Sequence, residues 1–214
     1  MAIVCPSITA ADSDQYREQV DRVGHFAKRL HIDLSDGIFA KNKLISPEDA
    51  WWPVGIKVDF HLMYKNPMPV VDTILEHQPN LIIVHCEADG NIKQFSKACH
   101  DRGVRVGIAV LQNTDIHLIL PGLADIDHVM IFSGSLGSYG GQADLSLLSK
   151  VEILKQYKPE LEVGWDGGIN QNNVSQLVFG GVDVLGVGGY IQNSTNPQHS
   201  FESLQRIADE TGTT

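Results

Sequence analysis

Cysteine is scarce in this 214-residue chain: Cys5, Cys86 and Cys99 are an odd number, with no CxxC spacing. That argues against a disulfide framework or a zinc finger, and it fits a reducing compartment. Basic runs are missing too. Lys and Arg total 16 against 26 Asp and Glu, a formal net charge of −10, which sets nucleic acid and anionic membranes aside as partners. No apolar run is long enough to span a bilayer. The start, Met-Ala-Ile-Val-Cys-Pro, lacks the basic stretch and apolar run of a signal peptide. A soluble, cytoplasmic protein is expected. A phosphorylated metabolite is compatible with the acidic balance, because backbone amides or a metal ion neutralise a phosphate locally.

What is present is ordinary for a globular protein: 43% hydrophobic and 20% charged residues. The length suits one large domain or two small ones, and no low-complexity linker divides it. Short apolar, β-branched runs occupy residues 3–5, 30–34, 56–60, 81–84, 104–110, 128–132, 161–165 and 182–187. Between them, residues 68–77, 92–100, 145–157, 174–179 and 201–208 space their apolar side chains as helices do. Ser46-Pro47-Glu48-Asp49 and Asn66-Pro67 read as helix starts, and Gly103 and Gly180-Gly181 as helix ends.

Eight buried-type strands alternating with helices predict a parallel sheet. It can close as a barrel or stay open and doubly wound. An open nucleotide-binding sheet calls for a glycine fingerprint after the first strand, where this chain has Pro6-Ser7-Ile8-Thr9. Eight units in this length fit a compact α/β fold, a single (β/α)8 TIM barrel over residues 1–214.

The barrel places Ser7 after strand 1, His31 and Asp33 at the end of strand 2, His61 at the end of strand 3, His85 at the end of strand 4 and Asp166 at the end of strand 7. These ends form the rim where barrel enzymes keep their chemistry. Residues two apart on a strand share a face, so His31 and Asp33 aim together. Alone, a His at a strand end is usually a hydrogen-bonded surface residue, and an Asp before Gly-Gly a turn. Converging on one rim, His31, Asp33, His61 and Asp166 bring together charges that need a cation. Their mixed nitrogen and oxygen donors suit one divalent metal ion: zinc, iron or manganese.

Residues 133–141 after strand 6 are rich in glycine, with Gly167-Gly168 after strand 7 and Gly188-Gly189 after strand 8. Loops at this end of a barrel are the usual phosphate site, and glycine lets amides approach an anion closely. His25, His77, His100 and His117 fall in expected helices and read as surface or packing residues. Cys5 and Cys86 read as small core hydrophobes within strands. Trp51-Trp52 reads as packing of a short second helix, and His199 has no assigned role.

Cys5-Pro6-Ser7-Ile8, His31-Ile32-Asp33-Leu34-Ser35-Asp36-Gly37, His61-Leu62-Met63, Val84-His85-Cys86-Glu87-Ala88 and Asp166-Gly167-Gly168-Ile169, taken in order, resemble the ribulose-phosphate 3-epimerase family. The resemblance covers almost the whole chain. It implies a metal-dependent isomerase that inverts C3 between D-ribulose 5-phosphate and D-xylulose 5-phosphate, and a homo-oligomer. Metal ligands then fall on His31, Asp33, His61 and Asp166, and Asp33 and Asp166 become the acid/base pair. Ser7 and His61 would contact the sugar; Tyr139, Gly140, Gly141, Gly167, Gly168, Gly188 and Gly189 would hold the phosphate.

The chain departs from that pattern at Ser35 and Phe132, each in place of Met, at Lys41 in place of Pro, at Gly189 in place of Ser, and in a strand 6 loop with an extra residue. None touches an expected ligand or carboxylate; they bear on the sugar and the lid. A ketohexose 6-phosphate 3-epimerase needs the same chemistry. A barrel lyase needs a Lys on the rim, and here Lys57 opens strand 3 at the opposite end. A non-catalytic sugar-phosphate-binding protein has no need of both Asp33 and Asp166.

Overall fold

A computed structural model describes residues 1–213. Eight strands, β1 (Ile3–Ile8), β2 (Arg29–Ser35), β3 (Lys57–Met63), β4 (Leu81–His85), β5 (Arg105–Val110), β6 (His128–Phe132), β7 (Glu162–Asp166) and β8 (Val184–Val187), close into a barrel in chain order. Every neighbouring pair is parallel, with β8 returning to β1. Thr214, the last residue of the expected domain, lies outside the described residues. Among the described residues no helix is long and apolar enough to cross a membrane.

The helices are α1 (Ser13–Val23), α2 (Val71–Glu76), α3 (Ile92–His100), α4 (Leu148–Tyr157), α5 (Val174–Phe179), α6 (Gly189–Gln192) and α7 (Pro197–Gly212). The Asp12 carboxylate caps α1 by accepting from Gln15 N–H, and the helix buries Tyr16, Val20 and Val23 against the barrel. Asn91 and Asn196 cap α3 and α7 in the same way.

Two connections differ from the sequence expectation. The turn after β2 holds only the 3-10 segment Pro47–Asp49, and the stretch holding His117 is two 3-10 segments, Ile116–Leu118 and Leu120–Asp125. Prolines at the start of the first and of the third serve only one tight turn. Trp51 and Trp52 therefore follow a turn: Trp51 meets Tyr16 edge-on at 6.0 Å and Trp52 meets Phe60 at 5.7 Å. His25 lies past the end of α1, which stops where Gly24 N–H bonds Val20 O. Cys86 lies just beyond β4.

Outward-facing strand residues and the helices share one large apolar core. Inside the barrel the filling is divided. Leu81, Ile83, Ala109, Met130 and Phe132 form an apolar half on β4, β5 and β6. Polar groups fill the rest. At the base, Arg29 Nε donates to Asp59 Oδ2 at 2.6 Å, and its guanidinium also reaches Glu162 at 3.0 and 3.2 Å. His128 and Arg105 contact the same Glu162 carboxylate at 2.9 and 3.0 Å. Gly164 makes room for this layer, since a Cβ there would lie 2.6 Å from His128 Nε2.

Candidate active site

Register brings the polar rim together. Ser7 pairs with His31 and Asp33 with His61 along β1, β2 and β3, while Asp166 lies between Phe132 and Gly186. Ser7 falls inside β1, not after it, and His61 lies two residues before the end of β3. The strands extend past the apolar runs because their ladder bonds continue toward the rim.

His61 Nδ1 lies 2.8 Å from Asp33 Oδ1 and 4.0 Å from Asp166 Oδ2. His31 Nε2 lies 3.2 Å from Asp33 Oδ1 and 3.8 Å from Asp166 Oδ2. One donor atom from each of the four residues lies within 4.8 Å of all the others. Donors about 2.0–2.2 Å from a common ion sit about 3–3.5 Å apart, so small adjustments would close this set around a divalent metal. His31 Nε2 is buried and its approach to Asp33 is not aligned as a hydrogen bond, which leaves it without a partner. A buried imidazole nitrogen facing two carboxylates fits a metal ligand.

The two carboxylates are not equivalent. Burial would raise Asp33, but the His31 and His61 imidazoles beside it outweigh it and hold its carboxyl well below the usual range. Burial pushes Asp166 up to about 7, with the Asp33 charge adding to the rise and His31 opposing it. For His31, burial is outweighed by the Asp33 and Asp166 charges, which push it up to about 9; burial depresses His61 to about 4.

Above this cluster opens a cavity of about 310 Å³. Ser7, Asp33 and Asp166 form its floor, and Tyr139, Gly140, Gly141, Gly167, Gly168, Gly188 and Gly189 line its sides. His31 and His61 do not line this cavity; His61, for which a sugar contact is expected, is fully buried and touches Asp33, which does line it. The glycine loops pack backbone on backbone. Gly167 has φ +110°, and a Cβ there would lie 2.2 Å from Gly134 N. Among the described residues no Lys or Arg lines the cavity, so backbone amides and neutral side chains are the donors at hand for an anion.

Sequence reasoning passed over several groups. The Thr9 hydroxyl donates to Asp33 Oδ2 at 2.5 Å. The Tyr139 hydroxyl accepts from Thr9 N–H at 2.9 Å and faces Gln19 Oε1 at 2.5 Å and Ser7 O at 3.0 Å, tying the β6 loop to β1. Thr9 follows Ser7 by two residues, which puts it on the same face, but its partner Asp33 lies 24 residues on. Phe132 joins the cavity wall, whereas Ser35 does not: its hydroxyl accepts from Gly37 N–H. His85 Nε2 meets His61 Nε2 at 2.8 Å, and Glu87 stands behind His85. Burial would raise Glu87, but His85, the Thr114 hydroxyl and Leu111 N–H outweigh it and hold its carboxyl down to about 2.

Two carboxylates facing a cavity on the C-terminal rim of a closed (β/α)8 barrel, with two imidazoles beneath them, define a barrel enzyme with a candidate metal centre. The ribulose-phosphate 3-epimerase family model matches residues 3–192. The chain belongs to that family, whose members are isomerases. It is 29% identical to the ribulose-phosphate 3-epimerase of Helicobacter pylori strain J99 over 212 residues, covering 95% of this chain and 97% of that one. Against the Aquifex aeolicus enzyme of the same name it is 29% identical, covering 97% of each chain. A solved 3-hexulose-6-phosphate synthase from Salmonella typhimurium superposes with TM-score 0.73 at 12% identity, over 98% of this chain and 99% of that one. That likeness concerns the fold.

Proposed function

We propose that the protein is a metal-dependent epimerase that inverts C3 of a phosphorylated ketose, interconverting D-ribulose 5-phosphate and D-xylulose 5-phosphate. The observation that carries this reading is the pair of carboxylates, Asp33 and Asp166, in the floor of one cavity whose sides are glycine loops. Inverting a carbon beside a ketone takes one proton from one face and returns one to the other. Two carboxylates flanking the substrate do this and exchange acid and base roles with direction.

The glycine loops at residues 139–141, 167–168 and 188–189 receive the phosphate, and that remote binding energy holds C3 between the carboxylates. One carboxylate removes the C3 proton, leaving an enediolate; the other, protonated, then delivers its proton to C3 from the opposite face. Thr9, bonded to Asp33 Oδ2, fixes the angle of that carboxyl group. Ser7 Oγ, buried and unpartnered at the floor, is placed to bond a sugar hydroxyl. His31, Asp33, His61 and Asp166 would hold the metal, which supplies Lewis-acid stabilisation of the developing negative charge.

The test is C3 hydrogen exchange in heavy water with ribulose 5-phosphate and, in parallel, a ketohexose 6-phosphate, with zinc, iron or manganese added. Exchange is expected with the pentose substrate. Asp33→Asn and Asp166→Asn should each lower it by about 100-fold or more with the fold intact. No exchange with either substrate under any of these metals would refute the assignment, and near-normal activity in either variant would refute the acid/base pair.

A further inference from the structure

His85 ends β4 behind the candidate metal centre, and neither it nor Glu87 lines the cavity. They are therefore not substrate contacts, yet they form a connected line into the cage. His85 Nε2 and His61 Nε2 are 2.8 Å apart. Two ring nitrogens at that distance share one proton: two N–H groups would collide, and two lone pairs would repel. On the far side, His85 Nδ1 faces Glu87 Oε2 at 3.4 Å. Both atoms are buried, and at this separation neither makes an aligned hydrogen bond. Glu87 is anchored through its second oxygen, which accepts from Leu111 N–H at 3.0 Å and from the Thr114 hydroxyl at 2.5 Å. Phe39 lies over the His85 ring at 4.7 Å and Phe132 meets it edge-on at 6.0 Å, so the ring is held in place.

The direction of the line follows from Glu87. An ionised carboxylate only accepts hydrogen bonds, so the nitrogen facing it, His85 Nδ1, carries the proton. In neutral His85 that leaves Nε2 bare, to accept from His61 Nε2–H. Asp33 Oδ1, 2.8 Å from His61 Nδ1, pulls the other way and accepts a proton from that nitrogen as long as no cation lies between them; a cation seated in the cage turns the Nδ1 lone pair inward and leaves the ring proton to Nε2. The hydrogen bond at one ring nitrogen decides which nitrogen is free to ligate.

We propose that Glu87 and His85 are positioning residues that hold the ring proton of His61 on Nε2 when a divalent cation is bound, so that Nδ1 presents its lone pair to that cation. This rests on the metal-dependent reading of the site and extends it beyond the four ligand residues.

The probe is Zn2+ added to metal-free protein in competition with a chelator of known affinity, together with 15N–1H histidine correlation spectra of the zinc-loaded protein. The unmodified protein should show His61 protonated on Nε2. Glu87→Ala and His85→Phe should weaken Zn2+ binding by about 10- to 100-fold. His85→Gln, whose amide oxygen can accept from His61 Nε2–H, should restore most of the affinity lost in His85→Phe, which a purely space-filling role does not predict. A proton on Nδ1 of His61 in the zinc-loaded, unmodified protein overturns the proposal without any variant having to fold. So does wild-type affinity in both Glu87→Ala and His85→Phe. Failure of the unmodified protein to take up Zn2+ overturns the cage itself, and the tautomer assignment with it.

Discussion

Gly188 follows β8, and a methyl group there has no space. A Cβ on this backbone would lie 2.5 Å from both Cδ1 and Cε1 of Tyr139, and 3.6 Å from Ser7 Cβ. Carbon contacts are comfortable at about 3.5–4.0 Å, so the tyrosine ring would have to retreat by about 1 Å or more. Its φ of −89° lies outside the left-handed region, so the clash with the ring is the main cost. Tyr139 is not free to move. Its hydroxyl accepts from Thr9 N–H and has one proton to give to Gln19 Oε1 or Ser7 O. Displacing the ring forfeits one accepted and one donated bond at about 0.5–1.5 kcal/mol each, about 1–3 kcal/mol together. Overpacking a well-filled site costs the same range. Gly188→Ala should therefore lower unfolding free energy by about 1–3 kcal/mol in urea titrations. It should also raise KM for a phosphorylated substrate, because Tyr139 lines the same cavity. A double-mutant cycle isolates the cause. In a Tyr139→Ala background the obstacle is gone, and Gly188→Ala should cost about 1 kcal/mol less than it does with the ring present. Additive losses, with Gly188→Ala as costly without the ring as with it, would refute the steric argument.

Two further predictions concern the base of the barrel. Arg29→Met removes the cation that joins Asp59 to Glu162 and leaves Asp59 with Asn80 Nδ2, at 2.7 Å, as its remaining side-chain partner. Stability should fall by about 3–5 kcal/mol, and a loss below about 1 kcal/mol in urea unfolding would show the network to be slack. Glu162 sets an acid limit: burial would raise its carboxyl, but His128 and Arg29 outweigh it and hold it well below its ordinary 4.5. A depressed folded value means that the unfolded chain binds the extra proton first. The stabilisation is therefore full above pH 4.5 and fades as pH falls below it. The stability gap between the native protein and Glu162→Gln should shrink from pH 7 to pH 3; a gap that widens reverses the sign and refutes the assignment.

The barrel was legible because its signal is local. Each strand announces itself by an apolar run, and the order of runs and helices leaves few topologies. The cage was half legible. His31 and Asp33 share a strand face by the period of two, but bringing His61 and Asp166 to them required closure and the registers Asp33 with His61 and Phe132 with Asp166. What stayed hidden depends on partners distant in the chain. Thr9 meets Asp33 24 residues on, and Tyr139 reaches back to Ser7 across 132. The missing helix after β2 was hidden for another reason: Ser46-Pro47-Glu48-Asp49 carries helix-start chemistry, but that chemistry equally starts a single 3-10 turn.

The two polar layers inside the barrel follow opposite electrostatic rules. At the base, Asp59 and Glu162 meet Arg29 and Arg105, so buried charge is balanced within the protein. One carboxylate of that layer is 1% exposed and still needs nothing from outside. At the rim, Asp33 and Asp166 approach each other over two histidines, with no Lys or Arg in the cavity wall to offset them. Hydroxyl and imidazole donors satisfy part of that charge, and His31 Nε2 stays unpartnered. Had the rim served only stability, an arginine there would have closed the network as Arg29 does below. Leaving the balance to be completed by a bound cation and a substrate is the physical difference between a barrel's base, which holds the fold, and its rim, which acts.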